Sequence, residues 1–278
     1  MLLPFLFLIS ASFLLPGYGE VVSSFDNCGG FFFNGRFPND ALTPSNPACI
    51  CQKYESRYVF ATMYDRTRRI PIYSAYVYNP KAGQRATDWM IEPQLANNQY
   101  GPDMEDERET AIPVAEIEAS QATFNDYKAA PYYVDKGHLN PVAHQSDPVS
   151  KAATFTLTNI VPQFNRLNQR SWKDYETETM ARKNAEFKCT KIYVITGAVP
   201  GDTSIAGGRV NYPSRIWSAA CCVIDANKRE SWGAIADNNW QIPPDVIPPV
   251  TERTLQQLEQ DLTSLYGAAV DLFGGSCN

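Results

Sequence analysis

The sequence predicts a mixed α+β fold. Runs rich in aromatic and β-branched residues are separated by turn-rich segments, two stretches read as helices, and no internal repeat organises them. Size agrees: 278 residues with 44% hydrophobic content bury a real core without a metal or disulfide being needed merely to reach folding size.

The chain opens with MLLPFLFLISASFLLP, apolar and without a charged side chain, followed by Gly17, Tyr18, Gly19 and Glu20. A short apolar run before small residues reads as a secretory signal peptide over 1–19, cleaved before Glu20. No later segment offers about 18 uninterrupted apolar residues, so no membrane span is expected in the mature chain. This address implies a secreted or extracellular protein, or one delivered to a lysosome. An oxidising compartment favours disulfides among the seven cysteines. Cys28 is expected to bond to Cys49 or Cys51. The adjacent Cys221 and Cys222 should pair elsewhere, because a vicinal disulfide is strained, and one thiol is left over. Cys49-x-Cys51 is too tight for a zinc knuckle.

Residues 20–54, rich in Gly, Pro, Asn and Phe, read as an irregular stapled lead. Residues 56–79 read as two strands, begun by Tyr58–Phe60 and Ile72–Tyr78 and joined by a polar turn at Asp65–Arg69. GPDMEDERE at 101–109 lacks EF-hand spacing and reads as a solvated loop. Residues 132–139 read as a short strand ending in a turn at Gly137. NQRSWKDYETETMARKNAEF, 168–187, is the clearest charged helix, and KIYVITGAV, 191–199, the strand after it. Residues 214–226 form a further strand or pair. The proline-rich loop 241–250 precedes a helix over 251–265. There Leu255, Leu258, Leu262 and Leu265 share a face at 3.6-residue periodicity, and Thr251 and Thr254 offer only a weak cap.

Composition excludes some functions. A net charge of −6 argues against a protein that wraps DNA, and two histidines exclude a three-histidine zinc centre. What chemistry the chain carries gathers around Asp135-Lys136-Gly137-His138. A histidine at a strand end can take a proton from water near neutral pH. Asn159 sits on a turn between apolar residues. Asn168, Trp172 and Glu176 recur every four residues. At about 100° per residue, Asn168 and Glu176 lie roughly 80° apart and can border one pocket. An amide oxygen with waters is a hard-oxygen environment suited to Mg²⁺. Arg85 lies outside the expected strands, free to reach a phosphate. Arg57, Arg66, Arg68 and Arg69 supply one local basic patch, and Arg166, Arg170 and Lys173 another.

RYVFATMYDRTRRIPIYSAYVY (57–78), GQRATDW (83–89), DKGHLNP (135–141), TNIVPQFNRLNQRSW (158–172) and Glu176 together resemble the secreted DNA/RNA non-specific endonucleases of the ββα-metal class. Within that class the resemblance is to the endonuclease-domain-containing-1-like branch. It spans roughly 55–240, taken as the nuclease core, with 241–278 as a proline-rich loop and a helix packed on it. It implies a central antiparallel sheet flanked by helices. It also implies Mg²⁺-dependent hydrolysis of phosphodiesters in DNA and RNA, with Mn²⁺ as a substitute ion, giving 5′-phosphate and 3′-hydroxyl ends. In that pattern His138 is the general base and Asn168 binds the metal. Glu176 assists metal and water positioning, Arg85 binds phosphate, and Asp135 and Asn159 support the site. Lys136 stands where the family motif has arginine; it keeps the charge but loses the planar fork of donors. No base-reading module is present, in keeping with low sequence specificity. Two rival readings use the same pocket: a small-substrate phosphodiesterase, and a secreted binding or immune protein on a catalytically weak or inactive nuclease fold.

Overall fold

The computed structural model describes residues 20–243 and 245–277; the expected signal peptide lies outside them. The main elements are β1 (Val21–Val22), β2 (Pro47–Tyr54), β3 (Arg57–Asp65) and β4 (Ile70–Val77). Next come β5 (Val134–His138), β6 (Ile160–Phe164) and a continuous helix, α1, over 167–187. The chain finishes with β7 (Lys191–Val199), β8 (Arg215–Val223), β9 (Arg229–Asp237), β10 (Val250–Arg253) and helix α2 (Leu255–Tyr266). Eight strands form one sheet in the order β1-β2-β3-β4-β7-β8-β9-β10, every neighbouring pair antiparallel. β5 and β6 pair as a separate antiparallel ribbon that leads directly into α1, the ββα order the resemblance implies.

Both faces of the sheet are covered, so its central strands are apolar on both sides, and side-chain alternation sorts them into two cores. Ile192, Val194 and Ala198 of β7 join Ile216, Ala220 and Cys222 of β8 on the face that also holds Trp172 and Tyr175 of α1. Ile195, Trp217, Ala219 and Cys221 face the opposite way, onto Leu255, Leu258 and Leu262 of α2. The same period of two explains the cysteines. Cys221 and Cys222 point to opposite faces, so Cys222 bonds to Cys189 and Cys221 to Cys277. Cys28 bonds to Cys51, and Cys49 is the free thiol among the described residues. The Cys221–Cys277 bond spans 56 residues of sequence. By loop-closure entropy, Cys277→Ser is expected to cost about 3–4 kcal/mol of stability, read as a lower denaturant midpoint.

Several sequence expectations are corrected. Part of the lead is regular: β2 pairs with β3, and its flanking prolines and glycines had masked an alternating ACICQ core. No turn occurs at Gly137; β5 runs through it to His138. Glycine is needed there because a Cβ would lie 2.1 Å from Oε1 of Gln163, which pairs across the ribbon with Asp135, two residues earlier. The acidic run is partly structured, since Glu105–Asp106 pairs with Met90–Ile91 and the Glu107 carboxylate accepts from the Phe124 N–H. In α2, Leu265 is 41% exposed at the last turn, while the other three leucines are buried. Its cap is also strong: Thr254 and Gln257 form a reciprocal capping box.

α1 is not a plain α-helix. Residues Leu167–Ser171 and Tyr175–Thr179 are π-helical, and the buried set Leu167, Trp172, Tyr175 and Met180 follows that wider winding. The 80° offset between Asn168 and Glu176, which assumed 100° per residue, therefore does not carry over. Each of these residues sits in one of the two π segments, a geometry that recurs at functional sites.

Candidate active site

The ribbon β5–β6, the start of α1 and the segment around Trp89 bring the predicted residues together. Asp135 is the link. One oxygen of its carboxylate accepts from Nδ2 of Asn168 and from Nε2 of Gln169, each at 2.9 Å. Both donors are amide nitrogens, so the Asn168 side chain is held with Oδ1 turned away from Asp135. Among the described residues Oδ1 has no protein hydrogen bond. Asp135 thus braces Asn168, the candidate metal ligand.

His138, three residues on, ends β5 and is 9% exposed. Its ring lies 5.1 Å from that of Phe155 and 5.8 Å from that of Trp89, centroid to centroid. Burial in this aromatic setting holds its pKa down at about 3, helped by the Arg85 and Lys136 cations and opposed by a hydrogen bond to the Lys136 backbone. The imidazole is therefore neutral at physiological pH. Its buried Nε2 has no partner, and an unpartnered buried acceptor is costly unless something else uses it. His144 is the counterexample. Its Nδ1 meets the Tyr76 hydroxyl at 3.0 Å and its Nε2 donates to the Glu176 carbonyl at 2.8 Å. Both nitrogens are spent on structure, and sequence reasoning had assigned His144 no role.

Glu176 is half-buried beside Trp172. Burial pushes its carboxyl up to about 8, against the pull of the Trp172 indole and the Arg85 guanidinium. Arg85 thus acts electrostatically on both His138 and Glu176, from an exposed position 5.1 Å above the Phe155 ring. Asn159 spends its whole amide as a clamp. It donates to the carbonyls of Asn140 and Thr154 and accepts from the Asn140 N–H and the Ser74 hydroxyl. The ammonium of Lys136 points into an aromatic box, 5.3 Å from Trp89 and 4.9 Å from Phe124. A planar fork is not needed there, since rings receive the cation.

The first basic patch divides. Arg57 opens β3 and Arg66 follows its last residue, Asp65, so the two ends of the strand hold them about 26 Å or more apart at the usual rise. Arg57 pairs with Asp147 at 2.7 Å. At the far end Arg68 pairs with Asp65 at 2.9 Å, Arg66 is half-buried, and Arg69 donates to the Glu118 and Arg209 carbonyls. In the second patch Arg166 donates to the Pro243 and Val246 carbonyls. Arg170 and Lys173 stay exposed on α1. Trp89 and Phe155, whose rings pack on His138, have no assigned role in the sequence reading; only the GQRATDW motif points to Trp89.

Among the described residues, no three His, Cys, Asp or Glu side chains gather as a metal site. A cation here would be held by few protein oxygens and mainly by water, which is how Mg²⁺ commonly binds. The Oδ1 of Asn168, oriented by the bond from Nδ2 to Asp135, fits that requirement.

A family model for DNA/RNA non-specific endonucleases matches residues 37–262. The human endonuclease domain-containing 1 protein is 30% identical over 245 residues, covering 86% of this chain and 47% of its own length. Its mouse counterpart is 31% identical over 259 residues, covering 90% and 48%. The chain thus spans about half the length of these curated relatives. A crystal structure of the EndoG/EndoGI complex matches with a TM-score of 0.50 at 18% identity, covering 80% of this chain and 86% of that one, a likeness of fold alone. The family match takes in strands β2 to β10, including the ribbon carrying His138, and all of α1, and the chain belongs to the DNA/RNA non-specific endonuclease family.

Proposed function

We propose that the chain is a secreted, Mg²⁺-dependent endonuclease that hydrolyses phosphodiester bonds of DNA and RNA without sequence preference, leaving 5′-phosphate and 3′-hydroxyl ends. The observation that carries the proposal is the neutral, buried His138 with an unpartnered Nε2, three residues from the carboxylate that orients Asn168. Three disulfides support the secretory reading, since such bonds persist in oxidising compartments. Among the described residues no helix is long and apolar enough to cross a membrane.

His138 takes the proton of the attacking water at Nε2. The site disfavours imidazolium until a phosphate arrives, whose negative charge then stabilises the proton on the ring. The Arg85 guanidinium meets the non-bridging oxygens. Asn168 would hold Mg²⁺, with Glu176 assisting metal and water positioning and Mn²⁺ as a substitute of similar oxygen preference. When bound, the ion supplies positive charge against the phosphate and the leaving 3′-oxygen. Arg170 and Lys173 are positioned to meet flanking phosphates from the exposed side of α1.

The purified protein is expected to degrade plasmid DNA and single-stranded RNA in Mg²⁺. EDTA should stop the reaction and fresh Mg²⁺ restore it, with fragments that ligate without prior phosphorylation. A folded preparation that leaves both polymers intact in Mg²⁺ overturns the proposal. Cleavage of a small diester without cleavage of either polymer favours the phosphodiesterase reading.

A further inference from the structure

One phosphate at His138 satisfies the proposed chemistry, but a polymer substrate brings its neighbours. A cationic cleft lies where residues 80–85 pass over the short helix Pro148–Ala153, and Arg85 lines it. Lys81, Gly83, Arg85, Val142, Ala143 and Lys151 line a volume of about 480 Å³, and none of its lining residues is acidic. Asp147, at the cap of that helix, is already committed to Arg57 and to Ser150.

Lys151 is the unusual member. It is only 5% exposed, and lysine is almost never so buried unless paired. Its ammonium donates to the Lys81 carbonyl, the one acceptor it has among the described residues, although an ammonium carries three donors. The loop closes onto it through Gly83, where a Cβ would lie 2.9 Å from Nζ. Lys81 and Arg85 remain exposed, and the charge of Arg85 also reaches His138 and Glu176. Three cations therefore converge without a counter-ion, and one of them is shared with the candidate catalytic site. A buried charge lacking a partner is costly, and an anionic oxygen would relieve that cost.

We propose that this cleft is a second phosphate subsite, holding the phosphodiester adjacent to the scissile one, with Lys81 and Lys151 as its cations and Arg85 shared between the two positions. The identity of the ligand as a nucleic-acid backbone rests on the endonuclease reading. The cleft selects phosphate by charge, without reading bases.

The test measures binding of a single-stranded oligonucleotide of about a dozen nucleotides as salt is raised. It uses the full mature chain carrying His138→Ala, to prevent cleavage. Lys81→Ala, a change at an exposed side chain, should weaken binding severalfold and reduce the slope of log affinity against log salt by about 0.7, one phosphate contact on a single strand. Lys151→Met should do the same; if it fails to fold, Lys81→Ala alone decides. Lys228→Ala, which removes an exposed lysine in the β8–β9 turn, serves as the control for general charge. A slope in Lys81→Ala equal to that of the Lys228→Ala control overturns the subsite. The parent chain with His138 intact is assayed for cleavage in parallel. Absence of cleavage counts against the endonuclease reading, while the binding slopes still decide the subsite.

Discussion

His138→Ala is expected to lower the rate of phosphodiester cleavage by about 10²–10⁴-fold while leaving the protein folded, the range typical for loss of a positioned general base. The reasoning starts from hydrogen-bond accounting. Nε2 of His138 has no partner, so the truncation gives up only the ring's hydrogen bond to the Lys136 backbone. The His138 ring does pack against Phe155 and Trp89, and a modest loss of thermal stability from that gap is expected. His144→Ala should behave in the opposite way. It leaves the buried Tyr76 hydroxyl with Thr196 alone, at 3.3 Å, and takes the donor from the Glu176 carbonyl, so its first effect falls on stability. Measuring turnover and melting temperature for both variants separates the two histidines. Equal turnover in wild type and His138→Ala sinks the assignment of the base.

The second large effect concerns the amide that Asp135 orients. Asn168→Ala removes an oriented oxygen, and several kilocalories of charge stabilisation go with it, roughly a thousandfold in rate. Asp135→Ala leaves that oxygen in place but lets the amide rotate, because the 2.9 Å bond to Nδ2 is what fixes which end faces the site. Outer partners of metal ligands commonly contribute about 10–100-fold in metal affinity or activity, so Asp135→Ala should raise the Mg²⁺ concentration needed for half-maximal cleavage by that factor. Asp135 acts through Asn168, so the two losses should not add. The check is a Mg²⁺ titration of both single variants and the double. If Asp135→Ala costs as much in the Asn168→Ala background as in the wild type, Asp135 has another role.

The candidate site was more legible in the sequence than the surface around it, for a physical reason. DKGH and NQRSW are short, contiguous and built from residue types whose chemistry is narrow, so His138 and Asn168 stand out once the motifs are read together. Lys151 does not. Its meaning depends on a loop 70 residues away closing over it, and nothing in PVSKAA signals a buried ammonium. The Arg66–Arg69 run misled for the converse reason. Charge density in sequence suggested a patch, but a hairpin turn carries it to the end of β3 opposite Arg57. In the fold, the strands of residues 57–78 and 191–199 were visible as aromatic and β-branched runs. β2 was hidden among turn residues, and the π winding of α1 leaves no mark in propensity, since it shows only in the five-residue spacings between Leu167 and Trp172 and between Tyr175 and Met180.

β8 has one more consequence. Its adjacent cysteines are stitched to different layers, Cys222 to the segment that follows α1 and Cys221 to the last turn after α2. A protease cut in the connection between β9 and β10 would break the chain without releasing the C-terminal helix, because Cys277 stays bonded to the middle of the sheet. Such a nicked molecule keeps its parts together until a reductant reaches a sulfur pair that is 0% and 1% exposed. For a secreted protein, as proposed, that would make the working lifetime depend on the redox surroundings more than on an unbroken backbone.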